Sequence, residues 1–168
     1  MPAKGSAEWK GDLRGGNGTF TAGDTISGEY SFKSRFEDGP GANPEQLIAA
    51  AHASCFSMAL ANALAEAGSP AESIQTNATV TLRPVDGVPT ITKIELVTVG
   101  RVPGLSAEAF NEQATAAKAG CPVSRALAGV PEVTLDATLV SYEARRRGRH
   151  RLPIRPGPAR EREAGAAL

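Results

Sequence analysis

At 168 residues the chain is long enough for one domain with a core of its own. Only 5% of it is aromatic, so alanine, valine, leucine and isoleucine must fill that core, and two cysteines are too few for a disulfide scaffold. Eighteen basic residues balance eighteen acidic ones, a formal charge of zero that hides an uneven distribution along the chain.

The first ten residues carry no apolar signal region, and no run is read as long enough to cross a membrane. The expectation is a soluble, cytoplasmic protein whose cysteines are reduced or redox-active. Residues 7–13 and 18–20 read as two short strands, with Asn17-Gly18 as the hairpin signal between them. The glycines around this turn match neither a phosphate-binding loop nor a dinucleotide fingerprint, because no strand-to-helix switch follows. A further strand is expected over 28–36, and Asp38-Gly39-Pro40-Gly41 then forms a loop.

That loop feeds the longest helix, residues 44–67. Asn43 is a good N-cap, Pro44 loses no hydrogen bond at the first helical position, and Glu45 favours the positive end of the helix. Gly68 and Pro70 end it. Leu47, Ala51, Cys55, Met58 and Asn62 share a face, and a helix apolar nearly all round is expected inside a core. Alternation over 73–83 and 90–99, around Asp86-Gly87, predicts a second hairpin. Ser106 caps a helix to Lys118 that Gly120 terminates, and Cys121-Pro122 opens a short helix ending near Gly129. A last strand over 132–140 puts Val133, Leu135, Ala137 and Leu139 on one face. The order is α+β, without the strict alternation of a doubly wound sheet.

The composition divides the chain into a body, residues 1–143, and a tail, 144–168. The tail holds eight arginines and two glutamates, a net +6, which leaves the body at −6. It has no apolar periodicity and is expected to be disordered. Without aromatic residues among the arginines it makes a poor nucleic-acid platform, and no membrane partner is expected.

Chemistry concentrates at Cys55 and Cys121. A free thiol has a pKa near ~8.5, so under about a tenth of it is thiolate at neutral pH. A thiol peroxidase needs a shift of roughly two units, or about 2.7 kcal/mol. Cys121 can gain part of that at its helix N-terminus. Cys55 lies three turns inside its helix, where burial raises its pKa, so a cation must reach it from elsewhere in the fold. His52, one turn earlier, competes as a Cys-His base or as a hydrogen-bonded core or interface residue. Arg125 reads as a surface residue. Two cysteines without a C-x-x-C pattern and one useful histidine make a poor zinc set, so no metal is expected.

Three segments carry a resemblance: Arg35-Phe36-Glu37, the run from Asn43 through Cys55 to Leu60, and Ala119-Gly120-Cys121-Pro122-Val123-Ser124. Together they resemble the OsmC/Ohr family, the osmotically inducible protein C and organic hydroperoxide resistance proteins. The stretches Ala51-His52-Ala53-Ser54-Cys55 and Phe56-Ser57-Met58-Ala59-Leu60 are similar to the OsmC branch, and the likeness covers roughly residues 1–142. It implies an α+β OsmC-like fold, antiparallel sheets packed around a long central helix, in an intertwined homodimer.

It also implies a cysteine-based peroxidase for organic hydroperoxides, with hydrogen peroxide a variable substrate, acting in oxidative or osmotic stress defence. Cys55 matches the peroxidatic cysteine and Cys121 the resolving one. Arg35 matches the arginine that holds the thiolate, and Glu45 the glutamate that orients it. No bound cofactor is implied, only an external thiol reductant such as a lipoyl-type dithiol. Two other readings stay open on the sequence: a non-catalytic stress-associated dimer with inert core cysteines, and a nucleic-acid-associated protein acting through its tail.

Overall fold

The computed structural model describes residues 2–140; the arginine-rich segment 144–168 lies outside the described residues. The chain begins with an antiparallel meander of β1 (Gly5–Lys10), β2 (Asn17–Ala22) and β3 (Ile26–Ser31), in that spatial order. The β1–β2 turn is not made by Asn17-Gly18. Asn17 is already paired with Lys10 and Ser31, and residues 11–16 make the turn instead. Its driver is Asp12, whose carboxylate accepts the backbone N–H of Arg14 and of Gly15, each at 2.9 Å. Those hydrogen bonds, that from Gly15 first, hold the Asp12 pKa below its ordinary value.

The strand expected over 28–36 stops at Ser31, and α1 (Phe32–Phe36) follows. A reciprocal capping box decides this: Ser31 Oγ accepts the Ser34 N–H at 3.1 Å, and Ser34 Oγ accepts the Ser31 N–H at 2.9 Å. Ser34 Oγ also donates to the Ala42 carbonyl at 2.7 Å, and Asn43 Nδ2 donates to the Ser34 carbonyl at 3.1 Å. The short helix is thereby tied to the start of α2 (Pro44–Glu66), which Asn43 caps through its own box with Gln46.

The second sheet takes β4 (Ser73–Val85) and β5 (Val88–Arg101) as an antiparallel hairpin over Asp86-Gly87. Both turn residues are left-handed, φ 51° and 81°, as a two-residue hairpin turn of matching twist requires. α3 (Ala107–Gly120) and α4 (Pro122–Ala126) then cross over to β6 (Glu132–Leu139), which runs parallel to β5. The sheet is therefore mixed: the expected antiparallel pairing holds across β4 and β5, and β6 adds a parallel neighbour. A parallel neighbour needs a crossover, and the two helices supply it. α4 also ends at Ala126, earlier than expected, in a run of turns.

The core lies between this sheet and the helices. Phe56, Leu60 and Leu64 of α2 pack with Leu96 of β5 and with Phe110, Ala114 and Ala117 of α3, together with Val102 and Cys121. Burying each large side chain contributes roughly 1.5–3 kcal/mol. Gly100 of β5 carries the ring of Phe110 directly on its Cα, where a Cβ would collide with it. A chain of hydroxyls, Ser57 to Thr76 at 2.8 Å and Thr76 to Thr98 at 2.9 Å, ties α2 to both strands of the hairpin.

α2 does not lie wholly within that core. Its buried face is Glu45, His52, Phe56, Leu60 and Leu64, while Met58 is 74% exposed and Leu47 36% exposed. Its 23 residues include an 18-residue stretch of mean hydropathy 1.5, long and apolar enough to cross a membrane, contrary to the expectation that no run reaches that length. The side chains packed on β4, β5 and α3 make it a core helix covered on one side only.

Candidate active site

Two pairs of side chains stand out, and α2 positions one member of each. Near its N-terminus Glu45 grips Arg35 of α1 in a fork: Arg35 Nη2 donates to Oε1 at 2.7 Å, and Nε lies 3.2 Å from each carboxylate oxygen. The Glu45 carboxylate is nearly buried, at 10% exposure, while the Arg35 side chain remains 36% exposed. The guanidinium also stacks 5.2 Å from the Phe36 ring centroid. The capping contacts between α1 and α2 fix this pairing, so the arginine is presented as a rigid cation with one edge open.

Ten residues further along α2 comes Cys55. Its sulfur lies 3.2 Å from that of Cys121, which is fully buried where α3 ends and α4 begins. Both thiols are free. Burial is the largest influence on each and opposes ionisation. At Cys55 it prevails: the pKa is raised, the Val123 N–H opposing the shift and the neighbouring Cys121 adding to it. At Cys121 the donors prevail over burial, and the pKa is lowered by the Ser124 N–H, by Cys55, by the Ser124 hydroxyl and by the Val123 N–H. A single hydrogen lies between the sulfurs and could sit on either. The donors gathered at the start of α4 favour it on Cys55, leaving Cys121 the better anion. This agrees with the sequence argument that Cys55 gains nothing from its own helix.

His52 is fully buried on α2, and its Nε2 lies 2.7 Å from Ser124 Oγ. It therefore serves α4 rather than acting as a base on Cys55. Its pKa is lowered, first by burial and then by the charge of Lys118, so the ring is neutral at neutral pH. Arg125 is exposed, as expected. No group of three or more His, Cys, Asp or Glu side chains placed to hold a metal occurs among the described residues.

The structure thus joins Cys55 to Cys121 and Arg35 to Glu45, but it does not join the two pairs within one chain. An α-helix rises 1.5 Å per residue, so Glu45 and Cys55 are separated by about 15 Å along its axis. Sequence reasoning missed Ser124 and Val123 as donors to the sulfurs. The signal was available, since the first backbone N–H groups of a helix have no partner within it and are free to donate to a sulfur at the N-cap.

The geometry agrees with comparisons to known proteins. Residues 37–136 match the family described as OsmC-like protein. The chain is 48% identical over 140 residues to peroxiredoxin OsmC of Escherichia coli, covering 82% of this chain and 96% of that protein. Among solved structures, the organic hydroperoxide resistance protein OhrB of Bacillus subtilis superposes with a TM-score of 0.60 at 26% identity, over 83% of this chain and 98% of that one. An OsmC-like protein from Mycoplasma pneumoniae shares the fold, with a TM-score of 0.64 at 21% identity over 84% of this chain and 99% of that one. With its cysteine pair at the junction of α2 and α4, its two sheets and its long central helix, this chain belongs to the OsmC family.

Proposed function

We propose that this protein is a cysteine-based peroxidase that reduces organic hydroperoxides through Cys55 and Cys121. The carrying observation is the 3.2 Å separation of the two sulfurs, in a chain 48% identical to a peroxiredoxin. A disulfide needs about 2.05 Å, so closure asks for a shift of only about 1.2 Å. In the first step the Cys55 thiolate attacks the peroxide oxygen, the O–O bond breaks, and the departing alkoxide takes up a proton. This leaves an alcohol and a Cys55 sulfenic acid. In the second, Cys121 displaces hydroxide from that sulfur, giving water and a Cys55–Cys121 disulfide. An external dithiol of lipoyl type then reduces the disulfide by exchange. A cytoplasmic setting, where thiol reductants are abundant, suits this cycle.

The first step needs a cation at Cys55, and the Arg35 of the same chain is gripped by Glu45, about 15 Å from Cys55 along the axis of α2. We therefore place the working site between two copies, with the Arg35–Glu45 pair of one serving Cys55 of the other. The exposed apolar face of α2, with Met58 at 74% exposure, supports a homodimer built on that helix.

Turnover of cumene hydroperoxide, tert-butyl hydroperoxide and hydrogen peroxide with a dithiol and with a monothiol tests the reaction. Disulfide at Cys55–Cys121 after one equivalent is expected, and free thiols after turnover would refute the two-cysteine cycle. Mixed dimers test the sharing. Arg35→Met and Cys55→Ser, each inactive alone, should regain about a quarter of wild-type activity after random re-pairing, because half the dimers then hold one complete site. No recovery would put Arg35 and Cys55 of one site in the same chain.

A further inference from the structure

His52 and Ser124 remain outside the cycle just described, although Ser124 is a donor to its second sulfur and His52 is bonded to Ser124. His52 Nε2 and Ser124 Oγ are 2.7 Å apart across the α2–α4 contact. Ser124 stands three residues after Cys121, the N-cap of α4, and its hydroxyl is among the donors that lower the Cys121 pKa. The other ring nitrogen, Nδ1, is buried with no hydrogen-bond partner. That orphan assigns the tautomer. A hydrogen on Nδ1 would strand a buried N–H donor, the costlier kind of unsatisfied group, whereas a bare Nδ1 lone pair costs less. The hydrogen is therefore on Nε2, which donates to Ser124 Oγ. The serine oxygen, already accepting from His52, has its own hydrogen left to give, and the nearby acceptor is the Cys121 sulfur.

We propose that His52 is a positioning residue for the disulfide-forming step: its Nε2–H fixes the Ser124 hydroxyl so that the serine donates to Cys121 and makes Cys121 the attacking thiolate. The inference rests on the peroxidase cycle above and names the part of the protein that drives its second half. Cys121 loses a proton, its sulfur attacks the Cys55 sulfenic sulfur, the S–O bond breaks, and the departing hydroxide takes up one proton to leave as water. His52 stays neutral throughout, since burial and the positive charge of Lys118 both oppose its protonation. The titratable groups facing this relay are Cys55 on α2, Cys121 itself and Lys118 on α3, whose ammonium is turned to the Val133 carbonyl at 2.7 Å.

A relay of this kind separates the two steps of the cycle, and that gives the test. The full chain and its Ser124→Ala, His52→Leu and His52→Gln variants are mixed with cumene hydroperoxide in single turnover. Samples are quenched with dimedone, and Cys55 sulfenic acid, Cys55 sulfinic acid and the Cys55–Cys121 disulfide are followed by mass spectrometry across pH. In Ser124→Ala and His52→Leu the ratio of disulfide formation to sulfenic acid formation should fall about tenfold, with the pH midpoint of condensation raised about one unit. With hydroperoxide in excess, a second molecule oxidises the waiting sulfenic acid, and sulfinic acid should accumulate in step with that fall. His52→Gln retains an N–H donor and should recover most of the ratio. A wild-type ratio and midpoint in His52→Leu would overturn the proposal, as would equal slowing of both steps in all three variants, the mark of a packing defect. If the wild type itself forms neither sulfenic acid nor disulfide, the peroxidase reading falls and takes this inference with it.

Discussion

The two sheets are equal in strand number and opposite in packing. In the sheet of β4, β5 and β6, Ile94, Leu96 and Thr98 are buried, Leu96 within the core shared with α2 and α3. In the sheet of β1, β2 and β3 only Gly18 is buried, under the Tyr30 ring. Its aromatic group, Trp9 and Phe20 around Tyr30, is half covered, and Ile26 is 54% exposed. A small sheet without a covered face is not independently stable in water. The chemistry divides along the same line, since the first half presents Arg35 and the second holds both sulfurs. The half with a core carries the reacting atoms, and the half without one carries the charge they need. That is the division expected if the first half finds its cover, and its cysteine, on a second copy.

The largest expected difference is in stability. Phe110→Ala removes a fully buried ring that lies on Gly100 and should cost about 3–5 kcal/mol in urea unfolding, whatever the protein concentration. Phe20→Ala, in the uncovered sheet, should show a cost that grows on dilution, because its packing depends on association. A concentration-independent cost at Phe20 would break the comparison. Next in size is Arg35→Met, which keeps bulk and removes charge. It should raise the Cys55 pKa to at least the free-thiol value of ~8.5, a loss of about 2.7 kcal/mol in thiolate stabilisation. Alkylation against pH on a Cys121→Ser background reads this, and an unmoved profile would reassign the cation. Arg35→Lys should fall between, since a point charge lacks the planar fork that Glu45 holds.

Smaller again is Met58→Lys on the open face of α2. On a solvated surface it would change stability by no more than about 0.5 kcal/mol. At a contact between two copies it should weaken association at least about tenfold, roughly 1.4 kcal/mol. Light scattering across a dilution series distinguishes the two, and unchanged assembly would remove this face from the interface.

How far these contrasts could be read from the sequence follows from how local their causes are. Both ends of α2 were legible because Asn43-Pro44 and Gly68-Pro70 act on their own neighbours. The β4–β5 turn was legible at Asp86-Gly87 for the same reason. The 32–36 segment misled because its aromatic residues suit a strand, while the Ser31–Ser34 box that wins there is a competing local signal. The direction of β6 was not legible at all, since alternation identifies a strand's faces and says nothing about its neighbour's orientation. Nor was the open side of α2, because a helix rich in alanine all round carries no stripe to mark it. The cysteine pair, 66 residues apart in sequence, is brought together by tertiary structure. The residues by themselves showed only that Cys55 needed help and that Cys121 had some.

The last expected effect concerns acid, and it asks whether the well-packed half can be loosened from within. His52 is fully buried, and its pKa is lowered by burial first and by Lys118 second. In the unfolded chain the same side chain titrates near ~6.5. Above that value both states hold it neutral and the contribution is complete. As pH falls below it, the unfolded state binds a proton that the folded state refuses. Stability is then lost until the lowered folded value is reached, with a slope approaching about 1.4 kcal/mol per pH unit. Wild type should therefore lose stability relative to His52→Leu between about pH 6.5 and 5 in urea unfolding. The other histidine, His150, is common to both proteins and cancels from the difference. Hydrogen exchange over the same range should show protection falling around α2 and α4, where His52 meets Ser124, more than in β1–β3. If the two proteins lose stability in parallel as the pH falls, His52 is charged in the folded state, and the neutral ring required by its hydrogen bond to Ser124 is wrong.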